Sequence, residues 1–157
     1  MRWSNAADTL CPIGRSLAVL GDRWTLLVLR EFFLGAHRFD ELAAVTQMSS
    51  ALLSARLKRL VEAGILERRA YRERPRRKEY RLTAKGRELY PVLIALKAWG
   101  ERWEAAAEPA LTVTHRPCGC TLEPRFSCAS CGEELDARDG VVSLSERFRM
   151  ERRRPSA

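Results

Sequence analysis

The stretch Ser49-Ser50-Ala51-Leu52-Leu53-Ser54-Ala55-Arg56-Leu57-Lys58-Arg59-Leu60 decides how the chain is read. Leu53, Leu57 and Leu60 fall at i, i+4 and i+7, the spacing that puts apolar groups on one face of an α-helix. Ser49 is placed to cap the start of that helix, and Gly64 to stop it, since glycine takes a left-handed backbone at little cost. Upstream, Phe39 to Val45 reads as a short amphipathic helix, with Thr46-Gln47-Met48-Ser49 as the connecting turn. Two helices on so short a turn define a helix-turn-helix.

Downstream the period changes from that of a helix to that of a strand. Ile65 to Tyr71 and Lys78 to Leu82 read as two strands around the polar, basic turn Arg72-Glu73-Arg74-Pro75-Arg76-Arg77, a β-hairpin. Thr83 ends the second strand and is placed to cap a long helix whose apolar face is Leu89, Val92/Leu93, Leu96, Trp99 and Trp103, kinked or loosened at Pro91. Toward the N-terminus, Leu17, Leu20, Trp24, Leu27 and Val28 carry helical spacing interrupted at Gly21-Asp22, where Asp22 can cap a second helix running to Gly35. The fold class is therefore mainly α with a small β-hairpin wing. Residues 1–109 form a winged helix-turn-helix domain for DNA binding and dimerisation. Residues 110–157 form a small Cys-rich, zinc-ribbon-like segment with a basic C-terminus.

The 157 residues suffice for one domain and a small appendage, with a formal charge of +8. Residues 68–81 hold eight Arg/Lys against two Glu, and residues 147–154 five Arg against one Glu, so the charge is clustered. A basic hairpin beside a helix-turn-helix fits double-stranded DNA. The second helix would enter the major groove, where small residues at its start, Ser49, Ser50 and Ala51, allow close approach. Ser54, Arg56, Lys58 and Arg59 lie off the leucine stripe; Ser and Arg serve base edges, Lys and Arg also phosphates. In the wing, Arg74, Arg76, Arg77 and Lys78 would meet the backbone or the minor groove. The alternative, a merely solvated charge run, gains little when charge and architecture agree.

The ordered set Cys11-Pro12-Ile13-Gly14, Leu20 to Leu29, Arg38-Phe39-Asp40-Glu41-Leu42, Leu53 to Leu60, Glu62 to Arg68 and Glu79 to Gly86 resembles the HxlR-type winged helix-turn-helix regulators, relatives of the MarR group. The resemblance spans about residues 11–105. It implies a dimeric, DNA-binding transcriptional regulator with no catalytic role. It also implies Arg38 near the DNA and a dimer built by the N-terminal segment and the helix after the wing. The apolar stripe with Leu96, Trp99 and Trp103 suits such an interface, the alternative being packing inside the monomer. Two departures are a wing tip denser in Arg and the Cys-rich tail.

Cys11 precedes Pro12 at the start of the first helix, where a helix N-terminus and Arg15 one turn on favour a thiolate; it is a sensor candidate for oxidants or electrophiles, or else a small buried apolar residue. In the tail, His115-Arg116-Pro117-Cys118-Gly119 and Cys128-Ala129-Ser130-Cys131-Gly132 are two knuckles of equal spacing. Such pairs present metal ligands from tight turns, which predicts a structural zinc held by His115, Cys118, Cys128 and Cys131, with Cys120 the alternative fourth ligand. Free thiols or disulfides formed on purification are the competing readings. No apolar run approaches a membrane span and no secretory signal is visible, so the expected location is cytoplasmic and no membrane partner is expected. The sequence shows no nucleophile–base constellation, no phosphate-cradling glycine loop and only two His, so an enzyme is not expected. Few aromatics interleave the basic hairpin, which disfavours RNA. The competing function is a zinc-ribbon protein-interaction module using the winged helix as a scaffold.

Overall fold

The structure is a computed structural model that describes residues 8–72, 77–104, 108 and 110–153. Its elements in chain order are α1 (Pro12–Leu20), α2 (Arg23–Phe33), α3 (Phe39–Thr46), α4 (Ser50–Glu62), β1 (Leu66–Arg72), β2 (Arg77–Leu82), α5 (Ala84–Arg87), α6 (Tyr90–Trp103) and α7 (Glu146–Arg153). They fall into two compact units. One takes in the chain up to Tyr90 together with the segment from Ser145 on, and the other is Pro91–Leu144. Compactness thus divides the chain at the start of α6, earlier than the boundary expected at 109, and returns the C-terminal helix to the first unit.

Each helix of the first unit begins and ends for a local reason. Asp22 caps α2 by accepting from the Trp24 N–H at 3.0 Å. Glu41, in the first turn of α3, folds back to accept from the N–H groups of His37 and Arg38, both at 2.9 Å. Those two donors hold the Glu41 carboxyl below its ordinary range. The cap is therefore intact at pH values above that lowered pKa and is lost as the pH falls through it. Ser49 accepts from the Leu52 N–H at 3.3 Å and starts α4. Gly64, at φ +68°, ends it, and the Ile65 N–H closes back on the Leu60 carbonyl at 2.9 Å, the terminal six-to-one bond of a glycine-stopped helix.

The predicted leucine stripe is the core. Leu53, Leu57 and Leu60 are fully buried, together with Val28, Leu29 and Phe32 of α2, Leu42 of α3, and Ile65 and Leu66 at the entry of the hairpin. Burying each such side chain is worth roughly 1.5–3 kcal/mol. The charged Glu31 is also buried, and its carboxylate pairs with the neighbouring Arg30.

The hairpin is antiparallel, with Leu66 opposite Leu82, Arg68 opposite Tyr80 and Ala70 opposite Lys78, and a bulge between Ala70 and Arg72. A third piece of backbone joins it: Arg38 bridges Glu79, and the Tyr80 N–H donates to the His37 carbonyl at 2.8 Å. The residue before α3 is thereby tied to the wing. Both strands match the sequence reading to within a residue or two.

The single long helix expected after Thr83 is two helices. Thr83 Oγ1 accepts from the Gly86 N–H at 3.1 Å and caps only the four-residue α5. Pro91 is the second residue of α6 rather than an interior kink. A proline lacks the N–H an interior position needs and clashes with the carbonyl four residues back, a conflict that vanishes in the first turn. In the second unit, Ile94, Lys97, Ala98 and Glu101 of α6 face a cleft whose other wall is Leu111, Thr121, Leu122 and Pro124.

The junction of α4, hairpin and α5 converges on one carbonyl. Ile65 O accepts from the Thr83 N–H at 3.0 Å and from Thr83 Oγ1 at 3.2 Å. A Cβ at Gly86 would strike that same oxygen and press on Leu82. Because backbone cannot swing aside as a long side chain can, Gly86→Ala is expected to destabilise the protein by about 1–3 kcal/mol, read as a lowered urea midpoint. An unchanged midpoint would show that α5 shifts freely.

Candidate nucleic-acid interface

With the leucine stripe inward, α4 presents Ser50, Ala51, Ser54, Ala55 and Lys58 to solvent. Ser50, Ser54 and Lys58 follow one another at intervals of four and so form a single row. Among the described residues, Ser50 and Ser54 have no intramolecular side-chain hydrogen bond. Lys58 makes only a solvent-exposed pair with Glu62 at 3.8 Å, an interaction of little strength. Ser49 spends its hydroxyl on the cap, so its part at the start of the helix is structural.

The two arginines of α4 are placed differently from the sequence reading. Arg56 donates to Asp22 Oδ2 at 2.8 Å, and its side chain is only 20% exposed. Its Nε is buried without a partner among the described residues. Arg59 donates to the carbonyl of Ala18 near the end of α1. Both thus brace α4 against the α1–α2 connection, and the Asp22 carboxylate serves two donors at once, Oδ1 the α2 cap and Oδ2 the guanidinium. Sequence reasoning missed this pair because Asp22 and Arg56 are far apart in the chain. The only available signal was that both fall on the flank of a buried stripe.

Around this row the charge is positive. Arg38 is exposed at the start of α3 and lies 3.7 Å from Glu41. In the wing, Arg68 covers the ring of Tyr80 at 5.7 Å, Arg69 pairs with Glu67 at 2.6 Å, and Arg81 with Glu79 at 2.8 Å. Arg77 and Lys78 belong to β2, while Arg74 and Arg76 lie outside the described residues.

On α6 the stripe read from the sequence lies uncovered in this single chain: Leu96, Trp99 and Trp103 are each more than half exposed, as is Val92. Arg102 lies over the Trp103 ring at 5.0 Å. On α1, Ile13 and Leu17 are exposed one turn apart. Cys11 is the residue before α1, a half-buried free thiol whose N–H donates to Thr9 Oγ1 at 3.1 Å. Thr9 in turn donates to the Glu151 carboxylate of α7, which also accepts from the Leu10 N–H at 2.9 Å. The sequence reading registered α7 only as a basic C-terminus, although Ser145, which accepts from the Phe148 N–H at 3.3 Å, is an ordinary helix-starting signal.

The knuckles of the second unit form as two small hairpins. His115 Nδ1 lies 3.2 Å from Cys118 Sγ. The N–H groups of Ser130 and then Cys131 point at Cys128 and, with the Cys131 side chain, hold its thiol below the ordinary cysteine range. Cys120 Sγ is turned to the Cys118 carbonyl at 3.7 Å. Among the described residues, no three His, Cys, Asp or Glu side chains converge on a point where an ion could sit. The donor atoms come together in pairs within each turn, His115 with Cys118 and Cys128 with Cys131.

A capped helix-turn-helix, a basic hairpin and an outward row of small residues are the parts of a DNA-reading domain, and comparison with known proteins agrees. The profile of the family described as HxlR-like helix-turn-helix matches residues 19–108. An uncharacterized HTH-type transcriptional regulator of Mycobacterium tuberculosis is 43% identical over 128 residues, covering 81% of both chains. Among solved structures, PA1607, a proposed transcription factor, is similar with a TM-score of 0.80 and 37% identity, over 90% of this chain and 99% of that one. The reduced form of the redox regulator HypR is similar with a TM-score of 0.55 and 31% identity, over 59% of this chain and 92% of that one. The chain belongs to the HxlR-like helix-turn-helix family and is a DNA-binding regulator of transcription. Its relatives bear the names of transcription regulators, not of enzymes. No helix among the described residues is long and apolar enough to cross a membrane.

The double use of Asp22 makes a sharp expectation. Asp22→Ala removes a helix cap, worth about 1 kcal/mol, and also leaves the half-buried Arg56 guanidinium without its counter-ion. It is therefore expected to destabilise more than a cap alone, and Arg56→Met in the same background should recover part of the loss. Urea denaturation of the two single variants and the double variant gives the coupling. Strict additivity would mean the ion pair contributes nothing.

Proposed function

We propose that the protein represses or activates transcription as a homodimer that grips a palindromic operator, one α4 in each of two successive major grooves about 34 Å apart. The observation that carries this reading is the outward row Ser50, Ser54 and Lys58, whose serines have no intramolecular side-chain bond among the described residues and which lies beside a hairpin rich in arginine. In this reading Ser50, Ala51 and Ser54 approach base edges, while Lys58 and the wing residues Arg74, Arg76, Arg77 and Lys78 meet phosphates, with Arg38 beside them. Arg56 and Arg59 act by positioning α4. The exposed stripe of Leu96, Trp99 and Trp103 supports dimerisation, because large apolar groups in a row are costly to leave in water.

Gel shifts over a range of salt concentrations, with sites selected from random DNA, test the contacts. Ser54→Ala should change base preference. Lys58→Ala should weaken all sequences alike and reduce the salt slope by about one unit, and Arg76→Ala with Arg77→Ala by about two. Trp103→Asp should halve the mass seen by light scattering. An unchanged slope in the wing variant, or a dimer of unchanged stability in the Trp103 variant, would remove that part of the reading.

A redox-responsive version of this function is favoured by the similarity to HypR, and it places the response at Cys11, a free thiol at the start of α1. Oxidant should then alter operator affinity in the wild type and leave Cys11→Ser unaffected. A response retained in that variant would move the sensing elsewhere.

A further inference from the structure

None of the residues of α1 is buried. The helix is held near its ends instead. Arg59 of α4 donates to the carbonyl of Ala18, and Glu151 takes the Thr9 hydroxyl and the Leu10 N–H just ahead of the first turn. Along α1, from Pro12 to Leu20, runs a groove of about 320 Å³ whose opposite wall is Ile65, Lys85 and Leu89, all within the first unit. Pro12, Arg15, Ser16, Val19 and Leu20 line it from a single helical face, at i, i+3, i+4, i+7 and i+8. The exposed Ile13 and Leu17 lie outside that lining. The floor is apolar: Ile65 is buried, and Val19, Leu20 and Leu89 are half-buried. The rim is cationic. Arg15 and Lys85 stand on opposite walls, both exposed, and among the described residues no carboxylate lines the groove. The Arg15 side chain has no ion pair or hydrogen bond among the described residues. Lys85 donates to the Ala63 carbonyl at 2.8 Å, which leaves its ammonium two further donors.

We propose that this groove is an effector site for a small organic monoanion, a compact apolar body on the floor with one carboxylate clasped between Arg15 and Lys85. Small-molecule sites run from about 300 to 1,000 Å³ and combine an apolar lining with a few placed polar groups, so the volume suits a body of about one or two rings. A bare inorganic anion would leave the apolar floor wet. A neutral hydrophobe would leave two cations facing one another without a counter-charge. Occupancy reaches α4 by contacts already present. Ile65 follows Gly64 at the end of α4, and its carbonyl organises the junction with Thr83. A carboxylate that draws Arg15 toward Lys85 pulls α1 toward that wall, and with it Ala18, whose carbonyl braces Arg59. Loosening that brace frees the roll of α4 and lowers its affinity for DNA. This coupling rests on the operator-binding reading above; the binding of the anion does not.

The test uses the full chain and naphthoate as probe, with naphthamide and naphthylmethylammonium as its neutral and cationic counterparts and inorganic phosphate as a bare anion. Calorimetry without DNA should show one naphthoate per chain and much weaker binding of the other three. Arg15→Gln and Lys85→Gln should each weaken naphthoate about tenfold, the loss of one charge-assisted bond. Both side chains are exposed, so both variants should keep the wild-type helical spectrum. Saturating naphthoate should lower affinity for a DNA site selected from random sequence at least threefold, and that DNA should lower naphthoate affinity by the same factor, as linkage requires. Equal binding of naphthoate and naphthamide, phosphate bound as tightly as naphthoate, or wild-type affinity in both variants would each overturn the site. Naphthoate affinity that falls as the protein concentration rises would assign the groove to a second copy of the chain instead. Normal binding with unchanged or raised DNA affinity would overturn the effector role, whereas a chain that binds naphthoate but selects no DNA site would overturn the operator reading and leave the site standing.

Discussion

One carboxylate organises the DNA-reading half of this molecule. Asp22 sits where α1 gives way to α2, and its two oxygens face two elements: Oδ1 takes the N–H that opens α2, and Oδ2 takes the guanidinium of Arg56 on α4. The cap fixes the direction of α2, while the ion pair fixes the roll of α4 about its own axis. With the leucine stripe buried, that roll determines which residues point outward. A guanidinium suits the task because it is always charged and holds a planar fork of donors, so the contact restrains orientation as well as distance. Arg59, reaching the Ala18 carbonyl, adds a second brace on the same side.

The interface that results divides its labour by residue type. The outward row is small and neutral at its start and cationic at Lys58, so close approach and charge neutralisation are separated along one helix. The hairpin is anchored at its base through His37, Arg38 and Glu79, beside the start of α3. A wing held there cannot swing independently of the helix-turn-helix. Its arginines are partly neutralised by their own strand neighbours, Glu67 and Glu79. The base of the hairpin is therefore nearer to neutral than its composition suggests.

Much of this was legible from residues alone, because the signals were local. Leu53, Leu57 and Leu60 announce a buried face, Gly64 a helix end, and Thr83 a helix start, each through contacts within a few residues. The features that escaped depend on partners distant in sequence or on competition between rules. Arg56 looked free for a base edge because nothing near it in the chain could claim it. Pro91 looked like an interior kink because the apolar stripe runs on both sides of it, and only the four-residue length of α5 resolves the conflict. The two Cys-Gly pairs of the tail were visible as spacing, but the hairpin hydrogen bonds that close on His115 and on Cys128 join residues a sequence pattern does not pair.

The C-terminal helix gives the chain an unusual connectivity. Glu151 of α7 holds Thr9 and Leu10 at the entry to α1, so the first and last helices of the described residues belong to the same body. Everything from Pro91 to Leu144 is then an insertion within a discontinuous domain rather than an appendix to it. The entropy of closing such a loop grows only with the logarithm of its length, about 0.6 kcal/mol for each doubling. Within it, the stretch after α6 can change in length at little entropic cost to the unit that holds both of its flanks. The cysteine turns therefore occupy a stretch of chain whose length the first unit does not set.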